Sequence, residues 1–99
     1  MLTVEVGNEI TVTIRETQLN IHNSRILVGR IKELFSEHER DVVINLENVM
    51  FLDSSTIASF IEVYNMVKEA RKELSFTNPS PFVRKIFEML HLSKFFKIH

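Results

Sequence analysis

Four small polar residues in succession, Asp53-Ser54-Ser55-Thr56, stand between an apolar patch, Val49-Met50-Phe51-Leu52, and a segment whose apolar residues recur at helical spacing. Three hydroxyls beside one carboxylate can serve three kinds of chemistry. They can cap the following helix, because a short polar side chain at a helix start accepts from backbone N–H groups that lack a partner. They can supply a nucleophile, if a histidine base and an orienting carboxylate converge on one serine. They can accept a phosphoryl group, whose charge the positive end of a helix dipole tolerates.

The nucleophile reading finds the least support. Ser54, His22 and Asp41 are present as residue types, but the Gly-x-Ser-x-Gly turn is not. Asp53 directly before Ser54 matches no triad order, so the chain is read as a non-enzyme. The chain has no cysteine, which removes disulfide frameworks and thiolate metal sites. Its four histidines, His22, His38, His91 and His99, show no His-x-x-x-His spacing and no paired carboxylate motif. Neither a metal nor a cofactor is expected. Gly7 and Gly29 are its only glycines, too few for a phosphate-cradling loop or a dinucleotide fingerprint.

A net charge of -1 offers no surplus for polyphosphates, so nucleic acid is not an expected partner. The apolar runs are too short to span a bilayer, and no direct membrane insertion is expected. The N-terminus, Met1-Leu2-Thr3-Val4-Glu5, has neither the basic region nor the long apolar core of a secretory signal. These features predict a cytoplasmic globular domain.

The elements that must hold the polar cluster can be read in order. Ninety-nine residues, 44% apolar and 25% charged, make one domain with a real core. Leu2–Val6 and Ile10–Ile14 are β-rich and flank the turn signal Gly7-Asn8, which predicts a hairpin. Glu16–His22 reads as a loop. Asn23-Ser24 is placed to cap a helix with the stripe Leu27, Ile31, Leu34, Phe35 and a solvated face of Arg30, Lys32, Glu33, Glu37, Glu39 and Arg40. Val42–Leu46 is short, β-branched and nearly uninterrupted, the pattern of a strand covered on both faces.

A helix is then expected from about Ser54 to Lys72, with Ile57, Phe60, Ile61, Tyr64 and Val67 on its apolar side. Only Ser59 and Glu62 are polar between Ile57 and Tyr64, so part of that surface is buried and part forms an apolar contact ridge. Leu74–Thr77 is a short strand stopped by Asn78-Pro79-Ser80-Pro81, and Pro81 suits a first helical turn. Val83, Ile86, Phe87 and Leu90 mark one helix face, and Phe95–His99 reads as a last strand. The order β-β-α-β-α-β-α-β implies a mixed sheet of four to five strands with helices mainly on one face.

These residues carry a resemblance. The strand Val42–Leu46, the turn Phe51-Leu52-Asp53-Ser54-Ser55, the segment Asn78–Pro81 and Val83-Arg84-Lys85-Ile86-Phe87 follow one another as in the STAS domain. The chain is most similar to bacterial anti-sigma factor antagonists, and Leu19-Asn20-Ile21-His22-Asn23 is similar to the loop before that family's first helix. The resemblance covers nearly the whole chain, residues 1–99 forming one domain. It implies a switch: Ser54 is phosphorylated by an anti-sigma factor that is itself a serine kinase, the unphosphorylated form binds that kinase and frees a sigma factor, and the phosphorylated form lets go. A phosphatase would restore Ser54, and Ser55 or Thr56 are alternative acceptors.

The contact surface implied by the resemblance comprises Asn20, His22, Asp53, Ser54, Ser55, Thr56 and Ala58. A STAS module in a stress-signalling assembly, or in a membrane transport complex where the serine is only a cap, is the alternative. The chain departs from the family in four respects. Thr56 and Ala58 replace glycine or a small residue, His91 replaces a usual glycine, Asn20 stands for a common aspartate, and the last helix of many relatives is expected to be absent. Sheet surface left open in this way would be met by a partner or a second copy, so the chain is expected to be a monomer or weak homodimer.

Overall fold

The computed structural model describes residues 2–99. Its strands are β1 (Leu2–Val6), β2 (Glu9–Ile14), β3 (Gln18–Leu19), β4 (Asp41–Asn45), β5 (Phe51–Leu52), β6 (Leu74–Thr77) and β7 (Lys97–Ile98). Three helices, α1 (Ile21–His38), α2 (Ser54–Glu69) and α3 (Pro81–Met89), alternate with them, and a 3-10 turn spans Leu92–Lys94. The main sheet has the order β1-β2-β4-β6-β7. The β1–β2 hairpin is antiparallel; every later pairing in that sheet is parallel.

Parallel neighbours cannot be joined by a tight turn, so each step from β2 to β4, β6 and β7 is crossed by a helix. The alternation of β2 shows which side the helices take: Ile10, Val12 and Ile14 are buried while Thr11 and Thr13 are half-exposed. Register carries this across the sheet, aligning Val12 with Ile44 and Ile44 with Phe76 on the covered face. All three helices contribute buried residues to the single core cluster on that face. The domain is therefore a small α/β structure with a mixed five-stranded sheet and helices on one side.

Val42–Leu46 departs from the expectation of a strand covered on both faces. Its opposite side carries Val43 between Thr11 and Ser75, and Asn45 between Thr13 and Thr77. Val43 is 8% exposed yet lies outside the core cluster, shielded by sheet neighbours rather than by a helix. Leu46 falls just beyond β4 but is fully buried, and its N–H donates to the Thr77 carbonyl at 2.9 Å.

Helix boundaries moved for identifiable reasons. The stretch read as a loop from Glu16 to His22 contains β3 and the first turn of α1, because Asn20 rather than Asn23 or Ser24 is the N-cap. Asn20 Oδ1 accepts from the N–H groups of His22 (2.9 Å) and Asn23 (3.2 Å), while Asn23 Oδ1 accepts from Asn20 N–H at 2.7 Å. That reciprocal pair is a capping box. α2 stops at Glu69 instead of Lys72, since Arg71 takes a left-handed conformation (φ 61°) and Lys72 N–H returns to the Val67 carbonyl. α3 ends before Leu90, which is 52% exposed instead of lying on the buried face. The final strand is shorter than Phe95–His99: Phe95 and Phe96 follow the 3-10 turn, and only Lys97 and Ile98 pair with β6.

An aromatic cluster closes this end of the core. Phe76 of β6 lies 5.0 Å from Phe60 of α2, 5.3 Å from Phe87 of α3 and 4.9 Å from Phe96, centroid to centroid. Such tilted and edge-on pairs add about 0.5–1.5 kcal/mol each beyond area burial. Across the outer surfaces of α1 and α2, Glu62 accepts from Arg25 at 2.8 Å and Lys32 at 2.5 Å. Those two cations pull its carboxyl from 4.5 down to about 2.

Two outcomes are expected from these features. His91, where α3 gives way to the 3-10 turn, has φ 57° and ψ 29°, a conformation that disfavours a side chain by about 1–2 kcal/mol. His91→Gly should therefore raise the stability measured by urea unfolding by about 1 kcal/mol, and an unchanged midpoint would refute the strain. Glu62→Gln should cost at most about 1 kcal/mol near pH 7, because solvent screens both pairs. A depressed carboxyl pKa stabilises the fold above its unfolded value, so that deficit should be full above pH 4.5 and fade as the pH falls toward about 2. A deficit that grew on acidification would contradict the pairing.

Candidate functional site

A second, two-stranded sheet builds the site. β3 and β5 pair in parallel with Gln18 beside Phe51 and Leu19 beside Leu52. The next residue along each strand is a helix N-cap, Asn20 for α1 and Asp53 for α2, and both have extended backbones. The Thr17 carbonyl accepts from Met50 N–H (2.8 Å) and Phe51 N–H (3.2 Å), and Asn23 Nδ2 donates to the Gln18 carbonyl at 2.8 Å. These bonds bring the starts of α1 and α2 to one edge, with His22 exposed in the first turn of α1.

At the start of α2, one carboxylate oxygen organises two hydroxyls. Asp53 Oδ1 accepts from Ser55 Oγ at 2.6 Å, Thr56 N–H at 3.0 Å and Thr56 Oγ1 at 3.1 Å. The Ser55 hydroxyl, followed by the Thr56 amide, holds the Asp53 carboxyl below its usual value, outweighing the opposing effect of burial. Asp53 is therefore an anion at neutral pH. Thr56 is wholly buried, so although expected on the contact surface it presents nothing to a partner and acts inside the cap. Ser55 is half-buried and committed to Asp53.

Ser54 stands outside this network. It is the first residue of α2, exposed, with Ala58 exposed one turn further along the same side. Asn20, His22, Asp53, Ser54, Ser55 and Ala58 are thus all at least partly accessible around the paired helix starts. Asp41 is elsewhere: it opens β4, where its Oδ1 accepts from Glu73 N–H at 2.9 Å. Ser54, His22 and Asp41 are not assembled as a triad.

Beside the helix starts lies an apolar surface that the sequence reading missed. Met50 and Phe51 are 61% and 50% exposed, and Phe51 stacks on Phe82 of α3 with centroids 5.3 Å apart and planes 14° off parallel. A signal existed for Phe82, which falls off the Val83–Ile86–Phe87 stripe. Phe51 had none, since a two-residue strand shows no alternation. Among the described residues, no three histidine, cysteine or acidic side chains gather as a metal site, and no helix is long and apolar enough to cross a membrane.

The class of protein follows from this fold and site. The STAS domain family model matches residues 2–99, and the chain belongs to that family. Among solved structures it is similar to the unphosphorylated form of SpoIIAA, an anti-sigma factor antagonist, with TM-score 0.84 and 19% identity over 100% of this chain and 88% of that one. It is also similar to SpoIIAA of Bacillus, a cell fate determinant, in its phosphorylated form, with TM-score 0.77, 18% identity, and coverage of 100% and 91%. A third likeness is to the murine anion transporter solute carrier 26 family member A9. There the TM-score is 0.67 and the identity 14%, over 86% of this chain and 14% of the transporter.

Because Ser54 sits at a helix start, an added negative charge there meets unpaired N–H groups rather than the core. Ser54→Asp is expected to unfold within about 0.5 kcal/mol of wild type in thermal and urea melts. A loss of several kcal/mol would show that the Ser54 hydroxyl has a structural role.

Proposed function

We propose that this protein is an anti-sigma factor antagonist, a cytoplasmic regulator of transcription that binds an anti-sigma factor serine kinase and is released when Ser54 is phosphorylated. One observation carries the choice of acceptor. Of the three hydroxyls at the start of α2, Ser55 and Thr56 are bound to Asp53, whereas Ser54 is exposed and uncommitted. The protein supplies the serine and catalyses nothing itself; a phosphatase returns Ser54 to its binding form.

Release follows from electrostatics. A phosphoserine adds about 1.5 to 2 negative charges, here next to the Asp53 anion. The free protein leaves that charge in water at a helix N-terminus, where it is tolerated. A partner docked over Ser54, Ala58 and the neighbouring Asn20 and His22 would have to desolvate it beside a second anion, which is strongly unfavourable. The apolar surface of Met50, Phe51 and Phe82 gives such a partner something to bury, and its burial is compatible only with an uncharged Ser54. The switch therefore acts on binding while the fold stays as it is.

The likeness to part of a solute carrier supports a second reading, a STAS module in a transport or stress-signalling complex in which Ser54 is only a helix-start residue. Tagged wild-type and Ser54→Asp proteins, used as baits in the native host and compared by mass spectrometry, separate the two. A serine kinase captured by wild type and at least about tenfold depleted on Ser54→Asp, a difference of about 1.4 kcal/mol in binding, is expected. Identical partners on both baits, or capture of membrane permease subunits, would favour the second reading.

A further inference from the structure

The exposed side of α2 that begins with Ser54 and Ala58 continues through Ile61, Asn65 and Lys68 and ends in a groove far from the site above. Fourteen residues of helix separate Ser54 from Lys68, roughly 21 Å at about 1.5 Å per residue. Phe95 is 55% exposed there and meets the Tyr64 ring edge-on with centroids 6.1 Å apart. On one side of this aromatic ridge, Ile61, Tyr64, Asn65, Leu92, Phe95 and Phe96 line a pocket of about 210 Å³. On the other, Lys68, Lys72, Lys97 and Glu73 surround a pocket of about 180 Å³ that shares Tyr64 and Phe95 with the first.

The lysines come from different elements. Lys68 is in the last turn of α2, where the helix dipole favours a cation. Lys72 belongs to the connection into β6, and Lys97 to β7, so the dipole does not explain their convergence. Lys68 Nζ lies 5.5 Å from the Tyr64 ring centroid, and Lys97 Nζ pairs with Glu73 at 3.0 Å, which leaves Lys72 and Lys68 without a carboxylate partner among the described residues. Charge is segregated along the chain in the same sense. Residues 64–99 hold seven lysines and arginines against three glutamates, and residues 1–63 hold five against ten acidic residues.

We infer that this groove docks an acidic segment of a partner protein, independently of the Ser54 switch. An aliphatic or aromatic side chain of that segment seats against Ile61, Leu92 and Phe95, and flanking carboxylates face Lys68 and Lys72. The occupant is a peptide rather than a free anion because the apolar pocket and the lysines lie on opposite sides of one ridge. Only a chain long enough to cross Tyr64 and Phe95 uses both.

Selection of short random peptides displayed on phage tests this, with the intact wild-type chain as bait and Lys68→Glu/Lys72→Glu as counter-bait. Both lysines are exposed, so charge reversal leaves the core intact. Enriched sequences should be acidic around one apolar residue. A synthetic copy should lose about tenfold or more in affinity on the double variant and, separately, on Phe95→Ala, and bind Ser54→Asp unchanged. In an NMR titration with the same peptide, the amides of Tyr64, Lys68 and Phe95 should shift and that of Ser54 should not. No enrichment, enrichment of non-acidic sequences, or shifts centred elsewhere would overturn the inference. So would oligothymidylate binding more tightly than any selected peptide, which would make the groove a nucleic-acid site. Wild-type dimers that dissociate on Lys68→Glu/Lys72→Glu would make the occupant a second copy and overturn it as well.

Discussion

Parallel strand pairing is the constraint on which the rest of this molecule depends. Once β2, β4, β6 and β7 run in the same direction, each connection must return across the sheet, and a helix is the structure that can do so while satisfying its own backbone. The consequence is polar. Helices that follow parallel strands begin at the strands' C-terminal edge and end at the opposite one. Asn20, Asp53 and Ser80, the N-caps of α1, α2 and α3, therefore all follow strand ends. The edge that holds them collects unpaired N–H groups, and the contrary edge collects helix C-termini and the lysines near them.

The covered face of the sheet converts this geometry into stability. Ile10, Val12, Ile14, Val42, Ile44, Leu74 and Phe76 are buried under the helices, and at about 25 cal/mol per Å² their burial is the main favourable term. The other face is a row of threonine, serine and asparagine around Val43, whose polar groups need no helix above them. Phe76, on that covered face next to the edge strand β7, touches rings from α2, α3 and the last turn. A single aromatic side chain thus links the sheet to α2, α3 and the segment before β7.

The site at the start of α2 rests on an unequal division of hydrogen bonds. Asp53 draws in Ser55 and Thr56 and leaves Ser54 to solvent, so one carboxylate both caps the helix start and selects which hydroxyl remains free. Asn20 does the corresponding work for α1 without a charge, through its reciprocal bonds with Asn23. The β3–β5 pair, only two residues on each side, sets these caps beside one another. Neither helix start is positioned by its own sequence alone.

What the sequence could determine by itself was local in origin. The Gly7-Asn8 hairpin, the capping chemistry of Asp53, the break at Asn78–Pro81 and the buried positions Ile57, Phe60 and Val67 of α2 and Val83 and Phe87 of α3 each depend on neighbours within a few residues. Each is found in the structure, whereas Ile61 and Leu90 of the same apolar patterns are exposed. The alternation of element types was enough for a small α/β domain with a mixed sheet, because strands and helices in that order have few ways to bury their apolar sides. Four matters were decided only by tertiary structure. Val43 has no helix over it although Val42, Val43 and Ile44 form an unbroken apolar run, because sheet neighbours alone shield it. α1 is capped at Asn20, directly after β3, whose pairing with β5 is a long-range contact between two segments too short to show any period. Thr56 is buried while Ser54 is exposed, a difference set by which way the first turn of α2 faces the core. Phe95 lies open beside three lysines from separate elements, since residues distant in the chain meet at an edge only after the parallel sheet has folded.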